Sequence, residues 1–159
     1  MALQKVVNSS QAIGFAGKIA QGTHSYFNTI GAVAGDDITI GEFVQFGDEG
    51  VVKQANDKAI SGKIAGLAVF TDFKDGAGDS SVVTKGNNVT ILNAGSAFIA
   101  TSLQAKQGQA VLLKTDDGSL VFDDDKAKAS HTFTGFVVAK GNTSAVSGIV
   151  EITTAGAQI

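Results

Sequence analysis

Residues 110–122 read Ala110-Val111-Leu112-Leu113-Lys114-Thr115-Asp116-Asp117-Gly118-Ser119-Leu120-Val121-Phe122. Two short apolar runs flank Thr115-Asp116-Asp117-Gly118-Ser119, whose Asp side chains can bond to nearby backbone N–H groups and whose Gly can take a positive φ. This is the signature of a β-hairpin. The same grammar repeats outward in both directions. Period-two or continuously apolar segments predict strands at 37–40, 42–46, 64–73, 88–92, 97–101, 110–114, 119–122, 132–139 and 148–153. The breaks between them are rich in Gly, Asp and Asn, such as Gly47-Asp48-Glu49-Gly50, Lys85-Gly86-Asn87-Asn88 and Lys140-Gly141-Asn142. Helical periodicity is scarce, and the two candidate helices, 102–107 and 126–130, are too short to organise a fold. Turns at this spacing imply an all-β protein, either an antiparallel β-sandwich or a small β-barrel of jelly-roll or tulip-like form.

Two echoes lie within the chain. Gly35-Asp36-Asp37-Ile38-Thr39-Ile40 matches Gly86-Asn87-Asn88-Val89-Thr90-Ile91, and Ala16-Gly17-Lys18-Ile19-Ala20 matches Ser61-Gly62-Lys63-Ile64-Ala65. Their offsets differ, so the chain is not a solenoid. Reuse of one turn-into-strand solution explains them more simply than two symmetric barrel halves.

The composition excludes much chemistry. Among 159 residues there is no Cys, Trp or Pro, every basic residue is Lys, and there are only two histidines, His24 and His131. Most enzyme sites draw on Cys, His or Arg for a nucleophile, a proton carrier or an anion clamp. The Gly-x-Ser-x-Gly nucleophile turn is absent, and Gly17-Lys18 and Gly62-Lys63 lack the frame of a phosphate loop. His24 reads as a polar loop residue and His131 as an exposed strand residue. No enzyme and no cofactor are expected. The ten Phe fall mainly on alternating strand positions and read as core.

Metal sites fare little better. Asp72-Phe73-Lys74-Asp75-Gly76-Ala77-Gly78-Asp79 and Asp123-Asp124-Asp125 both offer carboxylates, but Lys74, Lys126 and Lys128 oppose a cation, and both read as solvated turns. The net charge of -3 and the scattered lysines argue against nucleic acid as a partner. The longest apolar run, residues 64–70, is too short to span a membrane as a helix, and the opening residues form no apolar signal-peptide core. The low charged fraction of 17% leaves a surface of hydroxyls and amides that can pack against protein without heavy desolvation costs.

The first thirty residues differ from the rest, with short Gly-interrupted apolar pieces. The chain divides into an N-terminal arm and edge segment, 1–30, and one β-rich domain, 31–159. Residues 1–30 can be an edge strand with a long loop, or an arm that orders only against a neighbour. Both remain open from the residues alone.

Met1-Ala2-Leu3-Gln4-Lys5-Val6-Val7-Asn8, running into Ala12-Ile13-Gly14-Phe15-Ala16-Gly17, resembles the start of tailed-bacteriophage capsid cement (head decoration) proteins. Gly41-Glu42-Phe43-Val44, Ile64-Ala65-Gly66-Leu67-Ala68-Val69, Gly108-Gln109-Ala110-Val111 before its Asp-Asp-Gly turn, Gly135-Phe136-Val137-Val138 and Gly148-Ile149-Val150-Glu151-Ile152 are similar too. Members of that family often carry Pro and Arg, which this chain lacks. The resemblance implies a non-enzymatic virion protein, assembled in the host cytoplasm, that binds the outer surface of the expanded head. It would clamp neighbouring major capsid proteins and associate with itself as a dimer or trimer. The expected capsid contacts are Leu3, Val6, Val7, Ile13 and Phe15, and removal of residues 1–16 is expected to leave a folded protein that no longer holds the shell. The alternative is a tail, tube or fibre subunit, or a host-surface-binding β-module.

Overall fold

A computed structural model of the protein describes residues 16–20, 27–55, 63–70, 82–142 and 148–154. Five strands, β1 (Asn28–Ala34), β3 (Phe43–Phe46), β4 (Val51–Gln54), β5 (Ile64–Val69) and β7 (Asn88–Ala94), close into a barrel in the order β1-β4-β3-β5-β7. Five more, β8 (Ser96–Thr101), β9 (Ala110–Lys114), β10 (Leu120–Asp123), β11 (His131–Lys140) and β12 (Gly148–Thr154), form an antiparallel sheet in the order β10-β9-β11-β12-β8. A two-strand ribbon pairs β2 (Ile38–Thr39) with β6 (Val82–Val83). The fold is all-β, and it contains both expected forms, a barrel with a sheet laid against its wall.

The hairpin at 110–123 forms as its residues dictate. Leu113 faces Leu120 and Ala110 faces Asp123. Gly118 takes φ 70°, and its N–H donates to the Lys114 carbonyl at 3.0 Å. The Asp117 Oδ1 accepts the Ser119 N–H at 2.9 Å, so the side chain locks the turn. Gly95, at φ 124°, carries the chain out of the barrel into the sheet between β7 and β8. β12 pins that crossing: Gly95 N–H donates to Thr154 Oγ1 at 2.9 Å and Thr154 N–H to the Gly95 carbonyl at 3.0 Å.

Two cores result. Val44, Val52, Ala65, Ala68, Val89 and Ile91 fill the barrel, joined by Ile38, Ile40 and Val83 from around the ribbon. The outer wall of the barrel presents Phe43, Leu67, Val69 and Leu92 to the sheet, which answers with Ile99, Val111, Leu113, Phe136, Val138, Val150 and Ile152. Phe43 and Phe136 meet edge to face, with ring centroids 5.7 Å apart. Each such fully buried side chain stabilises the packing by about 1.5–3 kcal/mol. On β11 the period-two pattern is complete: Thr132, Thr134, Phe136 and Val138 are buried, and the residues between them are half-buried.

The first echo now has a physical account. Ala34 N–H donates to the Asn87 carbonyl at 2.9 Å and Gly86 N–H to the Ala34 carbonyl at 2.8 Å, so the two related turns sit side by side. Each then sends an apolar pair, Ile38 and Ile40 or Val89 and Ile91, into the barrel core.

Several expectations need correction. Strands β1, β4 and β6 were not predicted: β1 is rich in Gly and Ala, while β4 and β6 are only four and two residues long. The run expected at 64–73 ends as a strand at Val69, residues 71–73 lying outside those described. Segments 102–107 and 126–130 are not helices. Asp123 Oδ1 accepts the Asp125 N–H and Asp125 Oδ1 the Ala127 N–H, bonds that hold the backbone in turns instead. The barrel also contains one parallel pair, β1 with β4, which the alternating turns did not announce.

Candidate functional site

The seam between barrel and sheet is built around residues 16–20, which run along the outer edge of β8. Gly17 N–H donates to the Phe98 carbonyl at 2.9 Å, Phe98 N–H to the Lys18 carbonyl at 3.0 Å and Ala20 N–H to the Ser96 carbonyl at 2.8 Å. Ile19 bridges Ala97 across the same edge. On the barrel side, Phe70 N–H donates to the Gly17 carbonyl at 3.0 Å. Two glycines make this fit possible. A Cβ on Gly17 (φ 82°) would lie 2.4 Å from Ile40 Cγ2, and one on Gly41 (φ 92°) 2.7 Å from Ala16 Cβ. Residues 16–20 are therefore held as a rigid anchor on this seam.

Beside the anchor lies a cleft of roughly 290 Å³, lined by Glu42, Phe43, Ala55, Ile99 and Leu120 among others. The β9–β10 turn, through Asp117 and Ser119, forms its far lip. Glu42 is exposed to solvent on the cleft wall, yet partial desolvation by the surrounding groups pushes its carboxyl above the ordinary carboxylate range. Gln54 Nε2 donates to Glu42 Oε2, and the other end of that amide, Oε1, accepts the Thr39 N–H at 3.0 Å. An amide-tethered carboxylate among aliphatic and phenyl groups presents no paired nucleophile and base.

At the opposite side of the sheet, Asp123 accepts a 2.6 Å ion pair from Lys128 Nζ. That bond and the Asp125 N–H hold the Asp123 carboxyl below its usual range. Lys126 Nζ sits 5.4 Å from the centre of the Phe133 ring. The Asp123-Asp124-Asp125 run is thus engaged with its own lysine and backbone. His131 Nδ1 lies 2.7 Å from the Ala129 carbonyl at the start of β11. Among the described residues there is no group of three His, Asp or Glu placed to hold a metal ion.

Leu3, Val6, Val7, Ile13 and Phe15, the expected contact residues, lie outside the described residues, as do His24 and the turn at 72–79. What the structure supplies is their point of attachment. Among the described residues, the large apolar side chains that are exposed are Phe27, Val33, Phe46, Val82 and Leu103. The sequence reads the phenylalanines mainly as core, and Phe27 and Phe46 depart from that reading, because single exposed hydrophobics carry no local signal.

A family model described as structural cement protein (E217 gp24/Pam3 gp6) matches residues 3–155. The fold is similar to a chain in the capsid of Myoviridae phage XM1, with a TM-score of 0.60 and 16% identity over 96% of this chain and 97% of that one. A weaker likeness, TM-score 0.47 and 14% identity over 82% of this chain and 95% of that one, is to the N base of head fiber gp8.5 in bacteriophage phi29. No curated protein matches the chain.

Proposed function

Because the chain belongs to the phage structural cement protein family, and so to proteins that stabilise capsids, we propose that it binds the outer surface of the expanded head and clamps neighbouring major capsid proteins. The match over residues 3–155 carries this reading. The rest is physical consistency. The described surface offers no catalytic pairing, and the charged fraction is only 17%. An exterior of this kind can lie against a protein lattice at low desolvation cost. A protein that binds only the expanded lattice stabilises that state by mass action. It need not bind tightly at any one point, since several weak contacts from one small oligomer act together.

In this reading the segment before Ala16 is the clamp and the seam is its socket. Leu3, Val6, Val7, Ile13 and Phe15 provide the apolar contacts, each contributing about 1.5–3 kcal/mol when fully buried, less the cost of ordering the arm. The protein assembles in the host cytoplasm, joins the virion from outside and acts as a dimer or trimer.

The test is co-sedimentation of the purified chain with expanded, cement-free shells of its own phage, with unexpanded shells as control. Saturable binding to expanded shells alone supports the reading and gives the copy number. Binding to neither shell overturns it and moves the assignment to a tail or host-facing component.

A further inference from the structure

The barrel is closed less completely than its strand order suggests. β1 pairs with β7 along residues 28–33, but with β4 only at Val33–Val51 and Ala34–Val52. Ahead of Val51 the chain turns away through Asp48–Gly50, where Glu49 and Gly50 take φ 59° and 76°. On the side facing away from β7, residues 28–32 therefore present an unpaired row of backbone donors and acceptors among the described residues.

The two edges of the five-stranded sheet are managed. The outer edge of β8 is covered by residues 17–20. The edge at β10 ends in Asp123-Asp124-Asp125, with Lys126 and Lys128 close behind. Charges of this kind discourage strand addition. Among the described residues, β1 has no such guard. From Ile19 to Gly35 the chain carries no Asp, Glu, Lys or Arg, and it has no Pro anywhere. Its exposed face also shows Phe27, 44% accessible, and Val33, 41% accessible.

We propose that this edge is where two copies of the chain meet, their β1 strands pairing antiparallel about a two-fold axis at Ile30. The inference rests on the self-association proposed above and names its surface. The register is self-complementary: Ile30 faces Ile30 of the second copy, Thr29 faces Gly31, and Asn28 faces Ala32. Gly31 has nothing within 4 Å of where its Cβ would stand, so it leaves room for the opposing Thr29. The pairing stops where β4 begins, and there Phe27 of each copy arrives beside Val33 and Val51 of the other. The exposed apolar groups of the edge thereby cover one another. Because the contact is isologous it closes as a dimer, and two barrels join through one continuous strand pair without opening a path to fibres.

The experiment uses the full chain and its Gly31→Lys variant in analytical ultracentrifugation. Gly31 faces open space in the single chain, so the variant keeps its fold, while two lysines flank the two-fold axis of the pair. The parent is expected at twice the monomer mass, and the variant at the monomer mass with association weaker by roughly tenfold or more. A monomeric or trimeric parent, or a variant that stays dimeric, overturns the proposal. Should the variant precipitate, Ile30→Cys decides instead, since the chain has no cysteine of its own. Directly opposed strand residues lie within disulfide range. Mild oxidation should then link Ile30→Cys and not the exposed Ala100→Cys control, and equal linking of the two overturns the pairing. Shell binding is measured on the same samples. A monomeric parent that still sediments with expanded shells sinks this inference alone, while a dimer that ignores shells sinks the cement reading and leaves the dimer standing.

Discussion

Gly66 of β5 lies directly against the carbonyl of Leu92 on β7: a Cβ at Gly66 would stand 2.2 Å from that oxygen. Its φ of 149° is one that L side chains rarely adopt. The close approach sits where β5 shifts register against β3, between Val44 and Gln45. Gly66→Ala is expected to cost at least about 2 kcal/mol, because the obstacle is backbone and cannot rotate aside. Thermal denaturation should show a midpoint lower by about 4–8 °C. An unchanged midpoint would mean that the barrel tolerates a wider spacing there.

Two neighbouring threonines on β11 should respond in opposite directions. Thr134 Oγ1 donates to the Val111 carbonyl at 2.8 Å, whereas the buried Thr132 Oγ1 has no partner. Thr134→Val strands a buried carbonyl and should destabilise by about 1 kcal/mol or somewhat more. Thr132→Val removes an unsatisfied hydroxyl at nearly constant volume and should be neutral or stabilising by up to about 1 kcal/mol. Urea unfolding of the two variants beside the parent reads the difference. Equal losses for both would show that Thr132 is satisfied by water.

The pH dependence follows from three carboxyls of opposite sign. Partial desolvation raises Glu42, so its ionised form costs stability. That cost is absent below the unfolded carboxyl range and grows as pH rises through the folded value. Glu42→Gln should therefore raise the melting midpoint at pH 7, with the advantage vanishing near pH 4. Asp117 is lowered by its bonds to Ser119, and Asp123 by the bond to Lys128. Their support is present above the unfolded carboxyl range and is lost as pH falls through their folded values. Asp117→Ala should accordingly destabilise at pH 7 and match the parent at about pH 2. Melting curves across this range decide; an Asp117→Ala deficit that persists at low pH would assign the loss to turn geometry instead of charge.

How far these features were legible differs from element to element. The hairpin at Asp117 and Gly118 was plain, because its turn is made by residues local in sequence. β11 was plain too, since Thr132, Thr134, Phe136 and Val138 alternate cleanly against one core. β1 was not, because its Gly31, Ala32 and Ala34 carry little strand propensity and one of its edges is half unpaired. The anchor at Gly17 and Gly41 was invisible for another reason: it depends on contacts between Ala16 and Gly41 and between Gly17 and Ile40, about two dozen residues apart. Arm and domain were separated on composition; of the first thirty residues the structure describes 16–20, bonded to β8, and 27–30, of which 28–30 pair with β7.

Removing residues 1–15 leaves the Gly17, Lys18 and Ala20 backbone bonds to β8 and the Phe70 bond to Gly17 intact. The truncated chain should melt close to the parent, since the described residues of both cores all lie beyond the cut. Retention on expanded shells should fall by about tenfold or more, the equivalent of one fully buried apolar side chain, and by further steps if Leu3, Val6 and Val7 all bind. Replacing those three residues with Ser in the full chain should reproduce the loss while keeping its length. A truncated chain that fails to fold would place the first fifteen residues in the domain. One that folds and holds the shell undiminished would move the contact to the described surface, where the cleft beside Glu42 is the next candidate.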